Sequence, residues 1–212
     1  MLFDLIKRTI DIVGSLVLLV AFSPVIIATT LAIKFTSQGP LFADTPKRVG
    51  KGGRLFHPYK FRSMIVNAHN LLKTDPRFIK LYEQYKKSSY KLHEDPRITP
   101  VGTFIRKHSI DEVPQFINVL RGEMSIVGPR PYYPDELKEQ LSKHNDKQKL
   151  LKDVLSVRPG ITGYWQVSGR SDVHFDKRFE MDAYYARKKS ILLDILILLK
   201  TPWAMISGKG AV

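Results

Sequence analysis

Residues 12–33 read Ile12-Val-Gly-Ser-Leu-Val-Leu-Leu-Val-Ala-Phe-Ser-Pro-Val-Ile-Ile-Ala-Thr-Thr-Leu-Ala-Ile33 and contain no charged side chain. This run is long enough to cross a bilayer, which takes roughly 20 apolar residues in a helix. Pro24 interrupts the run near its middle, where a proline removes a backbone donor and clashes with the carbonyl four residues earlier. No clear small-residue cleavage site follows, which argues against a removable signal peptide.

The charges beside this run indicate where it begins and ends. Lys7 and Arg8 precede it and Lys34 follows it, and positive residues favour the cytoplasmic side of a membrane. We therefore expect a helix that enters one leaflet, breaks at Ser23-Pro24 and returns, with the Ser23 hydroxyl satisfying a freed backbone group. A kinked helix that spans the membrane is the alternative.

Further along the chain, Asp111 and Glu112 stand side by side before a short amphipathic segment that ends near Gly122. A helix N-terminus favours negative charge, so we expect the helix dipole to lower the pKa of these carboxyl groups. The same position attracts phosphate. The pair suits phosphoryl-transfer chemistry, in which one ionised acid acts while its neighbour holds a divalent cation.

A structural role for the same pair is the alternative. Ser109-x-x-Glu112 matches a capping box, in which two side chains satisfy free backbone donors at the start of a helix. Pro114 is compatible with this helix only if the helix starts at Asp111 or Glu112, because proline is tolerated in a first turn.

An arginine between two prolines follows the pair, in Gly128-Pro129-Arg130-Pro131. A guanidinium group can fork onto a phosphate, and a stiff backbone lowers the entropic cost of ordering it. The alternative is a surface arginine in a purely structural turn.

Charge and residue types exclude several classes of protein. The net charge is +14, and residues 45–74 include no acid, which suits an anionic membrane surface or phosphorylated substrates. No nucleic-acid-binding motif is present, so we expect no nucleic acid partner. The chain has no cysteine, which excludes disulfides and thiolate nucleophiles. Its histidines lack the spacing of zinc ligands.

The remaining segments predict an α+β fold that is mostly helical. Short extended pieces around Gly50-Lys-Gly-Gly53 predict a small β-hairpin within residues 40–64. Three glycines and a proline make residues 157–170 loop-like. Periodic apolar residues predict helices over residues 68–92, 135–154 and 175–188.

The C-terminal apolar segment, Ile191–Ile206, is too short to span a membrane and includes Trp203, a residue favoured at membrane interfaces. We expect it to lie on the membrane as an interfacial amphipathic helix. The chain then divides into a re-entrant membrane helix at residues 1–36 and a cytoplasmic, membrane-associated domain at residues 37–212.

Asp194 lies within this apolar segment, where burial of a carboxylate is unfavourable unless it is paired. A salt bridge with Lys188 or Lys189 is the structural alternative to a functional role. Arg158 and Arg170 flank the glycine-rich loop, where they suit a nucleotide or a lipid phosphate.

Several blocks of the sequence occur in an order that resembles one protein family. They are Lys7-Arg8-x-x-Asp11, Ser23-Pro24, Tyr59-Lys60-Phe61-Arg62-Ser63-Met64, Asp95-Pro96-Arg97-Ile98-Thr99, Asp111-Glu112, Arg158-Pro159-Gly160-Ile161-Thr162-Gly163 and Trp165-Gln166-Val167-Ser168-Gly169-Arg170. Together they resemble the bacterial sugar transferases, the monotopic polyprenyl-phosphate phosphoglycosyl transferases. One departure is Tyr164, where the pattern has an apolar residue.

The resemblance implies transfer of a sugar-1-phosphate from a UDP-sugar to undecaprenyl phosphate, with release of UMP and with UDP-galactose or UDP-glucose as the favoured donor. It implies a two-step route in which Asp111 is the nucleophile and forms a phospho-sugar intermediate. It also implies that Asp111 and Glu112 hold Mg²⁺, and that Asp194 is an acid required for activity. Without the resemblance, Lys60 reads as a strand residue that faces water. With it, substrate phosphate contacts are expected from Lys60, Arg62, Arg106, Arg130, Arg158, Arg170 and Asp182.

The same resemblance implies a place at the cytoplasmic face of the bacterial inner membrane, in contact with inner-membrane lipid, at the first membrane step of polysaccharide assembly. Residues 37–212 then form the catalytic domain. A homodimer is compatible with the sequence. A membrane-anchored basic adaptor without chemistry is the competing function.

Overall fold

The computed structural model describes residues 2–87, 92, 94–168 and 173–206. Helices make up most of the described residues and surround two small sheets, so the predicted α+β, mostly helical fold is confirmed. The helices are α1 (Leu2–Ala21), α2 (Ser23–Thr36), α3 (Ala68–Thr74), α4 (Ile79–Lys87), α5 (Pro100–Lys107), α6 (Gln115–Leu120), α7 (Pro134–Lys143), α8 (Leu151–Val154), α9 (Tyr164–Ser168), α10 (Phe175–Lys188) and α11 (Ile191–Ile206). The strands are β1 (Arg48–Val49), β2 (Leu55–Phe56), β3 (Ser125–Val127) and β4 (Gly160–Thr162).

The first sheet is the predicted hairpin. β1 and β2 pair antiparallel, with Arg48 opposite Phe56. A 3-10 turn at Lys51–Gly53 joins them. Gly52 has φ 66° and Gly53 has φ 80°, a region that glycine enters without steric penalty. The glycines therefore set the hairpin turn.

The second sheet was not predicted. β3 and β4 pair parallel, with Ser125 opposite Gly160, and β4 lies within residues 157–170, which were interpreted from their sequence as loop-like. Strands of three residues are too short to show the alternation that identifies a strand. A side chain cannot fit at this crossing, since a Cβ on Gly160 would lie 2.1 Å from the backbone nitrogen of Gly128. The close approach brings the Gly-Pro-Arg-Pro turn beside α9.

Two predicted long helices are broken in the structure. The segment 68–92 divides at Asp75, which has ψ 123°, because a residue before proline is pushed out of the helical region. The segment 135–154 divides at His144, whose φ of −122° ends α7. A 3-10 stretch, Asn145–Leu150, follows before α8.

The N-terminal run forms a bent pair of helices, as predicted. α1 and α2 meet at an angle of 60°. Pro24 occupies the first turn of α2, where its missing N–H removes no intrahelical bond. Among the described residues no single helix is long and apolar enough to cross a membrane, whereas this bent pair passes by length and composition. The division into residues 1–36 and 37–212 stays a prediction.

One face of α1 packs closely against the rest of the protein. It packs against α6 and β3, and a Cβ on Gly14 would lie 2.9 Å from the Ile126 side chain. The opposite faces of α1 and α2 expose large apolar side chains such as Val20 and Phe35. The core beneath α1 consists of Phe56, Val113, Phe116, Val119, Met124, Ile126, Val127, Tyr185 and Ile197.

Candidate active site

The acidic pair lies in a tight turn that precedes α6. Ile110–Glu112 form a 3-10 turn, and Pro114 is the N-cap residue that precedes α6. Ser109 has φ 55° and its side chain makes no capping hydrogen bond, so the capping-box alternative does not describe this turn. The turn leaves Asp111 buried, at 7% exposure, with Glu112 beside it and more open.

Lys60 joins the two acids. Its ammonium nitrogen lies 2.6 Å from Glu112 Oε1 and 3.8 Å from Asp111 Oδ2. The extended segment that carries Lys60 is held in place by neighbouring backbone, because the Phe61 N–H donates to the Asp111 carbonyl at 3.0 Å. Lys60 therefore does not face bulk water as an ordinary strand residue would. It partly neutralises the acidic pair.

Asn118 positions this segment, and sequence analysis missed it. Its Oδ1 accepts from the Tyr59 N–H at 2.8 Å, and its amide nitrogen donates to the His57 carbonyl at 2.8 Å. Asn118 is fully buried on α6. The one signal in the sequence was a polar residue inside a short apolar helix. A buried amide must find hydrogen-bond partners, so such a residue indicates a positioning role.

The two acids have different electrostatic surroundings. Burial raises the pKa of Asp111 above its usual value, although Lys60 opposes this effect. Burial also acts against ionisation of Glu112, but the charge and hydrogen bond of Lys60 outweigh it and hold the pKa of Glu112 below its usual value. The expectation that a helix dipole lowers both values is wrong for Asp111, because its turn precedes α6 and buries the carboxyl group. Paired acids whose pKa values are driven apart take different roles.

A cavity of about 640 Å³ opens over the pair. Basic side chains line it, among them Arg48, Lys60, Arg106 and Arg130. Apolar side chains also line it, among them Leu18 of α1, Phe22 between α1 and α2, and Leu198 and Pro202 of α11. A ligand that is phosphorylated at one end and apolar at the other fits this combination.

Arg130 reaches the cavity from the Gly-Pro-Arg-Pro turn. Its backbone N–H donates to Asp182 Oδ2 at 3.3 Å, and the same oxygen accepts from the Tyr132 hydroxyl at 2.7 Å. Asp182 is fully buried, and burial raises its pKa to about 7. It does not line the cavity. Asp182 can therefore affect a ligand in the cavity only by holding this turn in place.

Arg48 adds a basic group that was not singled out from the sequence. Its guanidinium lies 3.2 Å from the centre of the Tyr133 ring, and Nη1 donates to the Pro131 carbonyl at 3.0 Å. The only signal in the sequence was the position of Arg48 within residues 45–74, a basic stretch without acids. The structure places Arg48 in the lining of the cavity, together with Arg130.

Two arginines predicted to bind phosphate have their guanidinium groups engaged by the backbone. Arg62 donates to the carbonyls of Ser37, Gln38 and Pro40, at 2.6–3.0 Å. These bonds fix the loop after α2, so its position favours a structural role, although part of the side chain borders the cavity.

Arg158 donates to the Gly122 carbonyl at 2.8 Å and does not border the cavity. The structure corrects its predicted place in the site. Arg106, in α5, does line the cavity. Arg170 lies outside the described residues.

Asp194 lies away from the cavity, in a buried polar network. Its carboxylate pairs with Lys7 at 2.9 Å and accepts from the Tyr185 hydroxyl at 2.6 Å. The predicted cationic partner is therefore Lys7 on α1, and not Lys188 or Lys189. Lys7 also donates to Asp11 at 3.1 Å, and Asp11 in turn accepts from the Ser125 hydroxyl. The network joins α1, β3, α10 and α11, so the position of Asp194 favours a structural role, and its catalytic role stays a prediction.

We expect Asp194→Asn to lower the stability of the fold and to leave turnover per folded molecule close to that of the unchanged chain. The substitution removes one partner of a buried ion pair, but Asp11 still compensates Lys7, so the loss should be about 2 kcal/mol. Thermal unfolding and activity normalised to folded protein measure the two effects. A specific loss of turnover at an unchanged unfolding temperature would restore the catalytic role.

A divalent cation would find few protein ligands here. In residues 2–87, 92, 94–168 and 173–206 no group of three or more His, Asp or Glu side chains could hold a metal. Mg²⁺ is commonly held by one or two carboxylates together with substrate phosphates and water. Asp111 and Glu112 supply that sparse donor set, and the Glu112 side chain is 33% exposed to solvent. The residues present therefore fit Mg²⁺ when substrate is bound.

Comparison with known proteins indicates that the chain is an enzyme. A family model described as bacterial sugar transferase matches residues 2–208. The undecaprenyl-phosphate galactose phosphotransferase of Salmonella typhimurium is 43% identical over 97% of this chain and 41% of its own length. The exopolysaccharide production protein ExoY of Sinorhizobium fredii is 38% identical over 97% of this chain and 87% of its own length. The UDP-glucose:undecaprenyl-phosphate glucose-1-phosphate transferase of Escherichia coli is 37% identical over 98% of this chain and 41% of its own length. The chain thus spans less than half the length of the Salmonella and Escherichia relatives.

Proposed function

This chain belongs to the bacterial sugar transferase family, and on that premise we propose that it transfers a hexose-1-phosphate from a UDP-sugar to undecaprenyl phosphate and releases UMP. UDP-galactose and UDP-glucose are the favoured donors, since relatives named for both sugars match nearly the whole chain. The observation that carries the proposal is the Lys60-bridged acidic pair in a cavity that is lined by both basic and apolar side chains.

The first half of the proposed reaction moves the phospho-sugar onto the enzyme. An oxygen of the Asp111 carboxylate attacks the phosphorus that bears the sugar. The bond between that phosphorus and the oxygen bridging to the nucleotide breaks, and UMP leaves with the electron pair. A raised pKa makes the Asp111 carboxylate a stronger nucleophile once ionised, whereas Glu112 stays ionised beside it.

The second half returns the enzyme to its starting state. An oxygen of undecaprenyl phosphate attacks the same phosphorus, the bond to Asp111 breaks, and the carboxylate is regenerated. Lys60 reduces the repulsion between the acidic pair and the incoming phosphates. Arg130 orients them with its fork. When bound at Asp111 and Glu112, Mg²⁺ supplies neutralisation of phosphate charge.

UMP release tests the reaction. The full chain in detergent or lipid, given UDP-sugars, undecaprenyl phosphate and Mg²⁺, should release UMP with ping-pong kinetics. UDP-sugar alone should leave labelled phospho-sugar on Asp111. UMP release that requires both substrates together, with no labelled protein, would reject the aspartyl intermediate and retain the transferase. No release from any UDP-sugar would reject the transferase.

We also propose that α1 and α2 enter and leave the cytoplasmic leaflet of the inner membrane. Their outward faces are apolar, as is that of α11, where Leu199 is 72% and Trp203 76% exposed. Apolar surface of this extent on three neighbouring helices favours burial in lipid. The apolar side chains that α1 and α11 contribute to the cavity lining then receive the polyprenyl chain from the bilayer.

Cysteine labelling tests this topology, because the chain has no native cysteine. Single cysteines at Leu2 and at Ser37 should both react with a membrane-impermeant reagent only after the inner membrane is permeabilised. If Leu2→Cys were labelled in intact cells while Ser37→Cys was protected, α1 and α2 would span the membrane, and the re-entrant arrangement would be rejected without affecting the chemistry.

A further inference from the structure

Trp165 lies in α9 between two arginine side chains. The guanidinium carbon of Arg130 is 5.8 Å from the centre of the indole ring, and that of Arg178 is 5.3 Å away. Trp165 is buried at 3% exposure, and Arg178, on α10, is buried at 2%. A guanidinium over an indole is attracted by the ring, but the attraction is weaker than that of an anion.

Neither of these guanidinium groups has an anionic partner in the part of the chain that the structure describes. The Nε atoms of Arg130 and Arg178 are both buried without a hydrogen bond. The other well-buried arginines differ from them. Arg62 donates to three carbonyls, and Arg97 is paired with Asp95. Arg48 also has a buried Nε without a partner, but its Nη1 donates to the Pro131 carbonyl. Among the described residues, Arg130 and Arg178 are therefore the arginines with a buried Nε whose guanidinium groups make no hydrogen bond at all.

Acidic groups lie near this pair without joining it. Glu136 and Asp182 are fully buried, and each retains a buried oxygen without a partner. The charges of Glu136 and Asp182 favour the charged form of Arg178, but burial and the charge of Arg130 still lower its pKa. A buried cation without a close counter-ion is unfavourable. An anion bound from outside would remove that disadvantage.

We propose that Arg178 is a second phosphate-binding residue, which together with Arg130 forms an anion site around Trp165 for a phosphoryl group of the substrate. Arg130 and Trp165 both line the cavity that contains Asp111 and Glu112, whereas Arg178, 5.3 Å from the centre of the Trp165 ring, does not border it. The site therefore joins the acidic pair through Arg130 and Trp165. Two guanidinium groups fit a phosphoryl group because each is planar and can donate two parallel hydrogen bonds. The inference rests on the proposed function, in which two substrates carry such a group, the UDP-sugar and the lipid phosphate.

Binding measurements with Arg178→Gln test the site. Arg187→Gln is the matched control, since Arg187 lies on the same helix and pairs with Asp153 at the surface. Affinity for UMP and for undecaprenyl phosphate is measured separately by calorimetry on the full chain in detergent. We expect Arg178→Gln to weaken one of the two by about 10- to 100-fold, the range for a lost charge-assisted hydrogen bond. A loss confined to UMP assigns the site to the nucleotide, and a loss confined to the lipid assigns it to undecaprenyl phosphate.

Fluorescence gives a second readout that does not require Arg178 to be changed. The chain has two tryptophans, so Trp203→Phe leaves Trp165 as the sole reporter. Saturable change of its emission on titration with UMP or with undecaprenyl phosphate is expected, and Arg178→Lys in the same background should shift that titration to higher concentration.

Unchanged affinity for both ligands in Arg178→Gln, with a lower unfolding temperature than Arg187→Gln, would overturn the anion site and make Arg178 structural. An emission of Trp165 that responds to neither ligand would overturn it as well. A chain that binds UMP through Arg178 yet releases none from UDP-sugars would instead reject the proposed function and leave the anion site standing.

Discussion

Asp111→Asn should reduce turnover to below about one thousandth of the starting rate, in line with the loss of a nucleophilic group. Asparagine keeps the size of the side chain in a position that is 7% exposed, and it removes the negative charge that forms the bond to phosphorus. Burial of an isosteric neutral group is favourable, so the unfolding temperature should not fall. UMP release and radiolabel retained on the protein measure both halves of the reaction.

Asp135→Asn is the matched control, because Asp135 is an exposed acid at the start of α7. It should turn over UDP-sugar at the rate of the unchanged chain. Retention of phospho-sugar label by Asp111→Asn would transfer the nucleophilic role to another residue, with Glu112 as the first to examine.

Arg130→Lys should lower kcat/KM by about a hundredfold, within the range of charge-assisted hydrogen bonds to phosphate. Lysine keeps the positive charge, but its side chain is shorter and ends in a single nitrogen in place of the planar fork, so it does not reproduce two parallel bonds. The backbone N–H of residue 130 still donates to Asp182, so the turn should keep its shape. Steady-state kinetics with each substrate varied in turn gives the measurement.

Arg187→Lys controls for the exchange itself, since Arg187 forms a surface ion pair with Asp153. Exposed pairs contribute little to stability, and this variant should have unchanged kinetics. Nearly full activity of Arg130→Lys would show that a point charge is sufficient at position 130 and that the fork is unnecessary.

Local chemistry made several parts of this protein predictable. Pro24 is best tolerated in the first turn of a helix, so the bend between α1 and α2 followed from one residue in an apolar run. Gly52 and Gly53 supply positive φ values, so the hairpin followed from its turn. Asp111 and Glu112 are adjacent in the chain and therefore remain adjacent in any fold. Each of these features depends on neighbours in sequence.

Features that depend on distant partners were not predictable. Lys60 reaches the acidic pair because Asn118 and the backbone of Asp111 hold its segment there. Asp194 finds Lys7, which precedes it by nearly the whole chain. The pKa of Asp111 is raised because the surrounding fold buries it. No periodicity or local propensity encodes these contacts, since they are fixed by tertiary packing.

The contacts of α1 also affect how the chain folds while it is being synthesised. Lys7, Arg8 and Asp11 leave the ribosome before their partners, which lie on β3, α6 and α11. Chains are made at about 5–20 residues per second, so α1 has to wait seconds for Asp194. During that wait the acid and the bases of α1 lack their partners in the fold and need water or lipid headgroups around them. In the proposed re-entrant arrangement, the nascent helix pair should therefore lie shallowly in the bilayer, and it should reach its final depth only when α11 has been synthesised.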